Sequence, residues 1–188
     1  DMADSLVKND DEKVATMALW KNITDEIHSE YKSAVLVSEW SCPKRSLNCG
    51  FDMDFYLDHN GHGYHSIFRE VDEKGQNKSF FSKEGKGDAS AFIEEYLEDL
   101  RATANKGYIS FITCNHDTPR MSKWLDEREL KLAFATIFTL PGVPFLYYGD
   151  EIGMPFMEGV TSKEGGFSRT GTRTPMQWNT DKNCGFST

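Results

Sequence analysis

An apolar run, Tyr108-Ile109-Ser110-Phe111-Ile112, breaks off into Asn115, His116, Asp117 and Thr118, and Pro119 then forbids its continuation. The β-branched and aromatic run reads as a buried strand whose C-terminal tip carries an amide, an imidazole and a carboxylate. A barrel or an open α/β sheet presents chemistry in this way, at the C-terminal edge of its strands. A plain polar loop after a strand explains the same residue types equally well. A second such tip shifts the balance: Ala34-Val35-Leu36-Val37, a continuous apolar run typical of a strand buried on both faces, ends in Ser38-Glu39-Trp40.

Between and around these tips the periodicity alternates. Val14, Met17, Ala18, Trp20, Ile23 and Ile27 mark an amphipathic helix to about Tyr31, with Asp10-Asp11-Glu12 near its N-terminus. Ser41 to Gly50 reads as a polar loop, and Phe51 to Leu57, alternating apolar and acidic, as another strand in which Asp52 and Asp54 are structural. His59-Asn60-Gly61-His62-Gly63 is turn chemistry, which explains His59, His62 and His65 more simply than a metal site, and Lys74 to Asp88 is an exposed excursion. A helix over Ser90–Lys106, with Phe92, Ile93, Tyr96, Leu97 and Leu100 on one face, stops at Gly107. Another over Glu127–Leu140 turns Leu130, Ala133, Phe134, Ile137 and Phe138 inward, and Val143 to Tyr148 forms one more strand, followed by Gly149-Asp150-Glu151. Strands alternating with helices give an α/β class with a parallel sheet.

A net charge of −9 argues against a nucleic-acid surface, which needs a basic stripe. No apolar run approaches the roughly 20 residues of a membrane span. Cys42 and Cys49 stand close enough to bridge, but no pair has zinc-site spacing, and free thiols are the simpler reading of all four cysteines. The compartment, cytoplasmic or periplasmic and secreted, stays open.

Ser38-Glu39-Trp40 and Asn115-His116-Asp117 together resemble two motifs of the α-amylase family of glycoside hydrolases. Leu140 to Met154, with Tyr147-Tyr148-Gly149-Asp150-Glu151, is similar to the last barrel strand of that family, and Arg173-Thr174-Pro175-Met176-Gln177-Trp178-Asn179 to a stretch of oligo-1,6-glucosidases and related α-glucosidases. The resemblance implies the C-terminal half of a (β/α)8 barrel over residues 1–157, with 158–188 as a following loop and helix region of the same barrel. Asp1-Met2-Ala3 fits the family's nucleophile position, so the carry-over makes Asp1 the nucleophile, Glu39 the general acid/base and Asp117 the third carboxylate that holds and distorts the sugar. His116 would bind a hydroxyl of the reacting glucosyl unit, Arg120 is a weaker candidate at the adjacent subsite, and Trp40 and Tyr64 are candidates for stacking on sugar faces. Retaining cleavage needs the nucleophile and the acid about 5–5.5 Å apart. Carboxylates so close cannot all ionise freely, which is how one of them keeps its proton near neutrality.

The implied activity is hydrolysis of α-glucosidic bonds in malto-oligosaccharides or related α-glucans, with no cofactor and no metal, since the residues that usually bind calcium in the family belong mostly to the other half of the barrel. The arginine that keeps the family's nucleophile ionised stands two residues before it, ahead of residue 1, so the half barrel alone is expected to be inactive. It is also expected to pair with another copy or with the missing half. A glucosyl transferase or isomerase such as trehalose synthase is the nearest alternative. A non-catalytic amylase-like subunit or carbohydrate-binding module is the alternative of another class, and the joint presence of Glu39, His116 and Asp117 speaks against it.

Overall fold

A computed structural model describes residues 2–57, 63–85, 87–161 and 168–187. Its four strands pair in chain order into one wholly parallel sheet. Helix α1 (Val14–Glu30) leads to β1 (Val37–Ser38), the short α2 (Pro43–Ser46) to β2 (Met53–Tyr56), α3 (Gly63–Phe68) and α4 (Ser90–Ala102) to β3 (Tyr108–Ile112), and α5 (Glu127–Thr139) to β4 (Val143–Phe145). Parallel neighbours cannot be joined by hairpins, so each connection crosses over through helix. The result is part of a (β/α)8 barrel. Every segment that leaves a strand tip emerges at the same edge of the sheet.

The register assigns the two faces. Ser38 lies beside Asp54, Asp54 beside Ile109, and Tyr56 beside Phe111. Side chains alternate along each strand, so these residues share one face. Helices cover that face: the Tyr56 ring meets Tyr64 of α3 at 5.8 Å, and its hydroxyl donates to the Asp99 carboxylate of α4 at 2.6 Å. The main core lies here, built from Tyr56, Tyr64, Phe68, Phe92, Phe111 and Ile137, all buried. Each such side chain contributes roughly 1.5–3 kcal/mol on leaving water. On the opposite face Phe55 and Phe145 meet edge-on at 4.9 Å across β3.

A second cluster of Ala3, Trp40, Leu47, Cys49 and Phe51 receives Met17 and Trp20 of α1. Asp52 fastens the same corner, accepting from the Leu36 N–H at 2.8 Å and meeting His28 Nε2 at 3.0 Å. The structural role expected for Asp52 is therefore filled by a tie between α1 and the start of β2.

Several local expectations are corrected. The run before Glu39 pairs only at Val37 and Ser38, and Val35 and Val37 are exposed rather than buried on both faces, because β1 has a neighbour on one side only. The stretch after Glu39 contains α2 and a 3-10 turn, Leu47–Cys49, where a plain loop was expected. Ile93, Leu97 and Phe138 lie outward. In α4 the inward stripe is Phe92, Tyr96, Asp99 and Leu100, so a carboxylate bonded to Tyr56 joins the face that periodicity gave to apolar residues alone. The Lys74–Asp88 excursion is only partly exposed: Ser79 and Ser82 are buried and Phe81 packs on the core.

Candidate active site

The loop that leaves β3 is organised by its own asparagine. Asn115 Oδ1 accepts from the N–H groups of Asp117 at 2.8 Å and Thr118 at 2.9 Å, an Asx turn that folds the tip back on itself. Asp117 and His116 are thereby turned to solvent, their side chains 42% and 56% exposed and 3.4 Å apart. From below, the buried guanidinium of Arg69 donates to the carbonyls of Thr113 and Pro119 (2.8 Å to the latter), clamping both ends of the loop.

Two further arginines, from the segment after β4, reach Asp117. Arg169 Nη1 lies 2.7 Å and Arg173 Nη2 3.0 Å from Asp117 Oδ1, and Arg173 Nε also donates to the His116 carbonyl at 2.8 Å. Burial alone would push the Asp117 carboxyl up. The neighbouring His116 imidazole and the two guanidinium groups outweigh it and hold the carboxyl below the usual range. Sequence reading placed Arg173 in a family-like stretch without a role and did not single out Arg169 or Arg69. Their partners lie more than forty residues away, where no local pattern reaches.

Glu39 stands at the tip of β1, half-buried, at the same edge of the sheet as Asp117. It is the first residue beyond β1. The buried carboxylate of Asp54 takes the Ser38 hydroxyl at 2.5 Å and the Trp40 N–H at 3.2 Å on Oδ1, and the Cys42 N–H at 2.7 Å on Oδ2. Burial pushes the Asp54 carboxyl up against the pull of these donors.

The remaining site candidates fall elsewhere. Trp40 is only 9% exposed and belongs to the second core cluster, and Tyr64 is fully buried with its hydroxyl on the Ile112 carbonyl, so neither offers a ring face to solvent here. Arg120 is withdrawn as well. Its fully buried guanidinium donates to Asp150 at 2.7 Å and to the Thr172 carbonyl at 3.3 Å, and lies 5.1 and 5.2 Å over the rings of Tyr147 and Tyr148. Asp150 also takes the Thr113 hydroxyl, so this ion pair ties the root of the Asp117 loop to the segment after β4. Asp1, His59 and His62 lie outside the described residues. Among the described residues the four cysteines are free thiols, and no three His, Cys, Asp or Glu side chains gather as a metal site.

A cavity of about 360 Å³ opens beside the Asp117 loop, lined by His65, Arg69, Glu70, Val71, Thr118, Pro119 and Trp124. A larger cavity of about 500 Å³, with Pro155, Met157, Pro175, Met176 and Phe186 in its wall, contains none of the site carboxylates.

The model of the alpha-amylase catalytic domain matches residues 4–188. The chain belongs to the alpha-amylase family. Among its relatives, the probable oligo-1,6-glucosidase 2 of Bacillus subtilis is 28% identical over 89% of this chain and 35% of its own length. The trehalose synthase/amylase of Mycobacterium tuberculosis is 38% identical over 50% of the chain and 14% of its own length, and the salivary alpha-glucosidase of Aedes aegypti 32% identical over 53% and 19%. The chain thus spans at most about a third of the length of these alpha-amylase family relatives.

Proposed function

We propose that the full-length protein is a retaining glycoside hydrolase acting on α-glucosidic bonds of malto-oligosaccharides or related α-glucans. The observation that carries this reading is that Glu39 and Asp117 follow strand tips at one edge of a parallel sheet in an alpha-amylase family chain, with two guanidinium groups on Asp117. In the reaction the Glu39 carboxyl gives its proton to the glycosidic oxygen as the C1–O bond breaks and the Asp1 carboxylate bonds to C1. Water then loses a proton to Glu39 and attacks C1, releasing Asp1 and the sugar. Asp117, an acceptor held in place from two sides, grips sugar hydroxyls, and His116 donates beside it. Arg120, buried behind the loop, serves the site by holding Asp150 rather than by touching sugar.

The test is hydrolysis of p-nitrophenyl α-glucoside and maltotriose by the full-length protein and by Glu39→Gln. Removing a general acid/base costs roughly 10²–10⁴-fold in rate. Equal activity in the two proteins would remove Glu39 from the mechanism. The likeness to a trehalose synthase/amylase supports a second reading, glucosyl transfer within the site rather than to water. Maltose turned into trehalose instead of glucose, followed by NMR, would favour it.

A further inference from the structure

We propose that Asp54 is a positioning residue for Glu39: its buried carboxylate fixes the chain on both sides of Glu39 and so sets where the acid meets the glycosidic oxygen. This rests on the reading of Glu39 as the acid/base. Asp54 is 0% exposed, so it cannot touch substrate, and its place in β2 directly beside Ser38 makes it a rigid support. Its donors include the Ser38 hydroxyl and the backbone N–H groups of Trp40 and Cys42, which bracket Glu39 at the point where β1 gives way to loop, and the Ser46 hydroxyl of α2 adds to them. β1 is two residues long, so its ladder with β2 ends at Ser38 and does not itself hold the residues beyond it. Asp54 acts from the helix-covered face of the sheet, through the residues on either side of Glu39 and with no bond to the Glu39 side chain among those named.

The chemistry calls for a carboxylate. Donors approach both oxygens, the Ser38 hydroxyl and the Trp40 N–H at Oδ1 and the Cys42 N–H at Oδ2. An amide has one acceptor oxygen, and its NH₂ group would face an N–H or O–H at the other position. Asp54→Asn therefore releases at least one side of the tip while keeping the volume. A displacement of about 1 Å at a reacting group costs on the order of 10²-fold in rate.

A positioning role is separated from a merely structural one by the leaving group. Departure of an alkoxide from maltose needs the proton of the acid, whereas departure of fluoride from α-glucosyl fluoride needs little. Because kcat/KM reports only the steps up to the first bond cleavage, its ratio for the two substrates measures proton delivery. In the full-length protein Glu39→Gln is expected to lose far more on maltose than on the fluoride. Asp54→Asn should show the same selectivity, with about a 10- to 100-fold loss on maltose and a much smaller one on the fluoride. Ser38→Ala, which removes one donor and spares the backbone bonds, should show it more weakly, and it carries the test should Asp54→Asn not fold. Equal losses on both substrates, or none, in a folded Asp54→Asn or Ser38→Ala protein would overturn the inference while Glu39→Gln stays selective. Loss of selectivity in Glu39→Gln itself would overturn the reading of Glu39, and this inference with it.

Discussion

Asp117 illustrates how far one side chain's environment decides its chemistry. It is exposed enough to meet a ligand, yet two guanidinium groups and an imidazole surround it, and its carboxyl titrates below the usual range. A carboxyl lowered in the folded state favours folding above its unfolded value, and that contribution is lost as the pH falls through the lowered value. The carboxylate is thus an ionised acceptor across the neutral and mildly acidic range. Replacing Arg169 and Arg173 together with glutamine leaves the burial that pushes the carboxyl up and removes two of the groups that hold it down. The Asp117 titration, followed by carboxyl ¹³C NMR, should move to higher pH in the double variant. An unmoved midpoint would show that the two arginines do not set its charge. Arg120 presents the reverse case. Its motif position suggested contact with substrate, and burial gives it to Asp150 instead, which only the packing around it reveals.

At the scale of elements, the junction between α1 and the turn before β2 depends on one glycine. Gly50 has φ +97°, and a Cβ built there would fall on the side chain of buried Thr24, whose hydroxyl donates to the Cys49 carbonyl at 2.7 Å. Gly50→Ala should destabilise the protein by about 1–3 kcal/mol in chemical denaturation, from backbone strain and displacement of Thr24 together. Adding Thr24→Ala should return only the part of the steric cost owed to the hydroxyl and methyl, since the Cβ at position 24 stays 2.9 Å from the added one. Destabilisation within a few tenths of a kcal/mol of zero would remove Gly50 from the account. The elements themselves were legible to different depths. β3 and α5 were readable because apolar runs meet hard stops at Pro119 and Pro141-Gly142. Helix α3 was not, since six residues opening on glycine carry no full period, and Tyr64, Ile67 and Phe68 enter the core through long-range contacts. Glu39 and Asp117 could be picked out because a motif marks them. Asp54 could be recognised as structural but not as the support of Glu39, since its bonds depend on the parallel register of β1 and β2.

Among the described residues of this chain β1 and β4 each pair with one neighbour, which leaves the sheet two open sides. Beside β1 the side chains of Val35 and Val37 are 57% and 36% exposed, and beyond β4 Leu146 is 40% exposed. An unpaired parallel edge flanked by apolar side chains invites another strand. In the polypeptide of residues 1–188 taken alone, the net charge of −9 acts against this by mutual repulsion. The two effects respond to salt in opposite senses from those of an assembly built on ion pairs. At about 0.1 M salt the screening length is about 10 Å, and at 1 M about 3 Å. Repulsion between copies therefore fades as salt rises, while apolar burial and backbone pairing at the edges persist. The 1–188 polypeptide should be larger than a monomer by light scattering, with the associated fraction growing from low to high salt. An associated fraction that shrinks with salt would place the contact on charged groups instead of the sheet edges. A monodisperse monomer at every salt concentration would mean that neither edge is available for pairing.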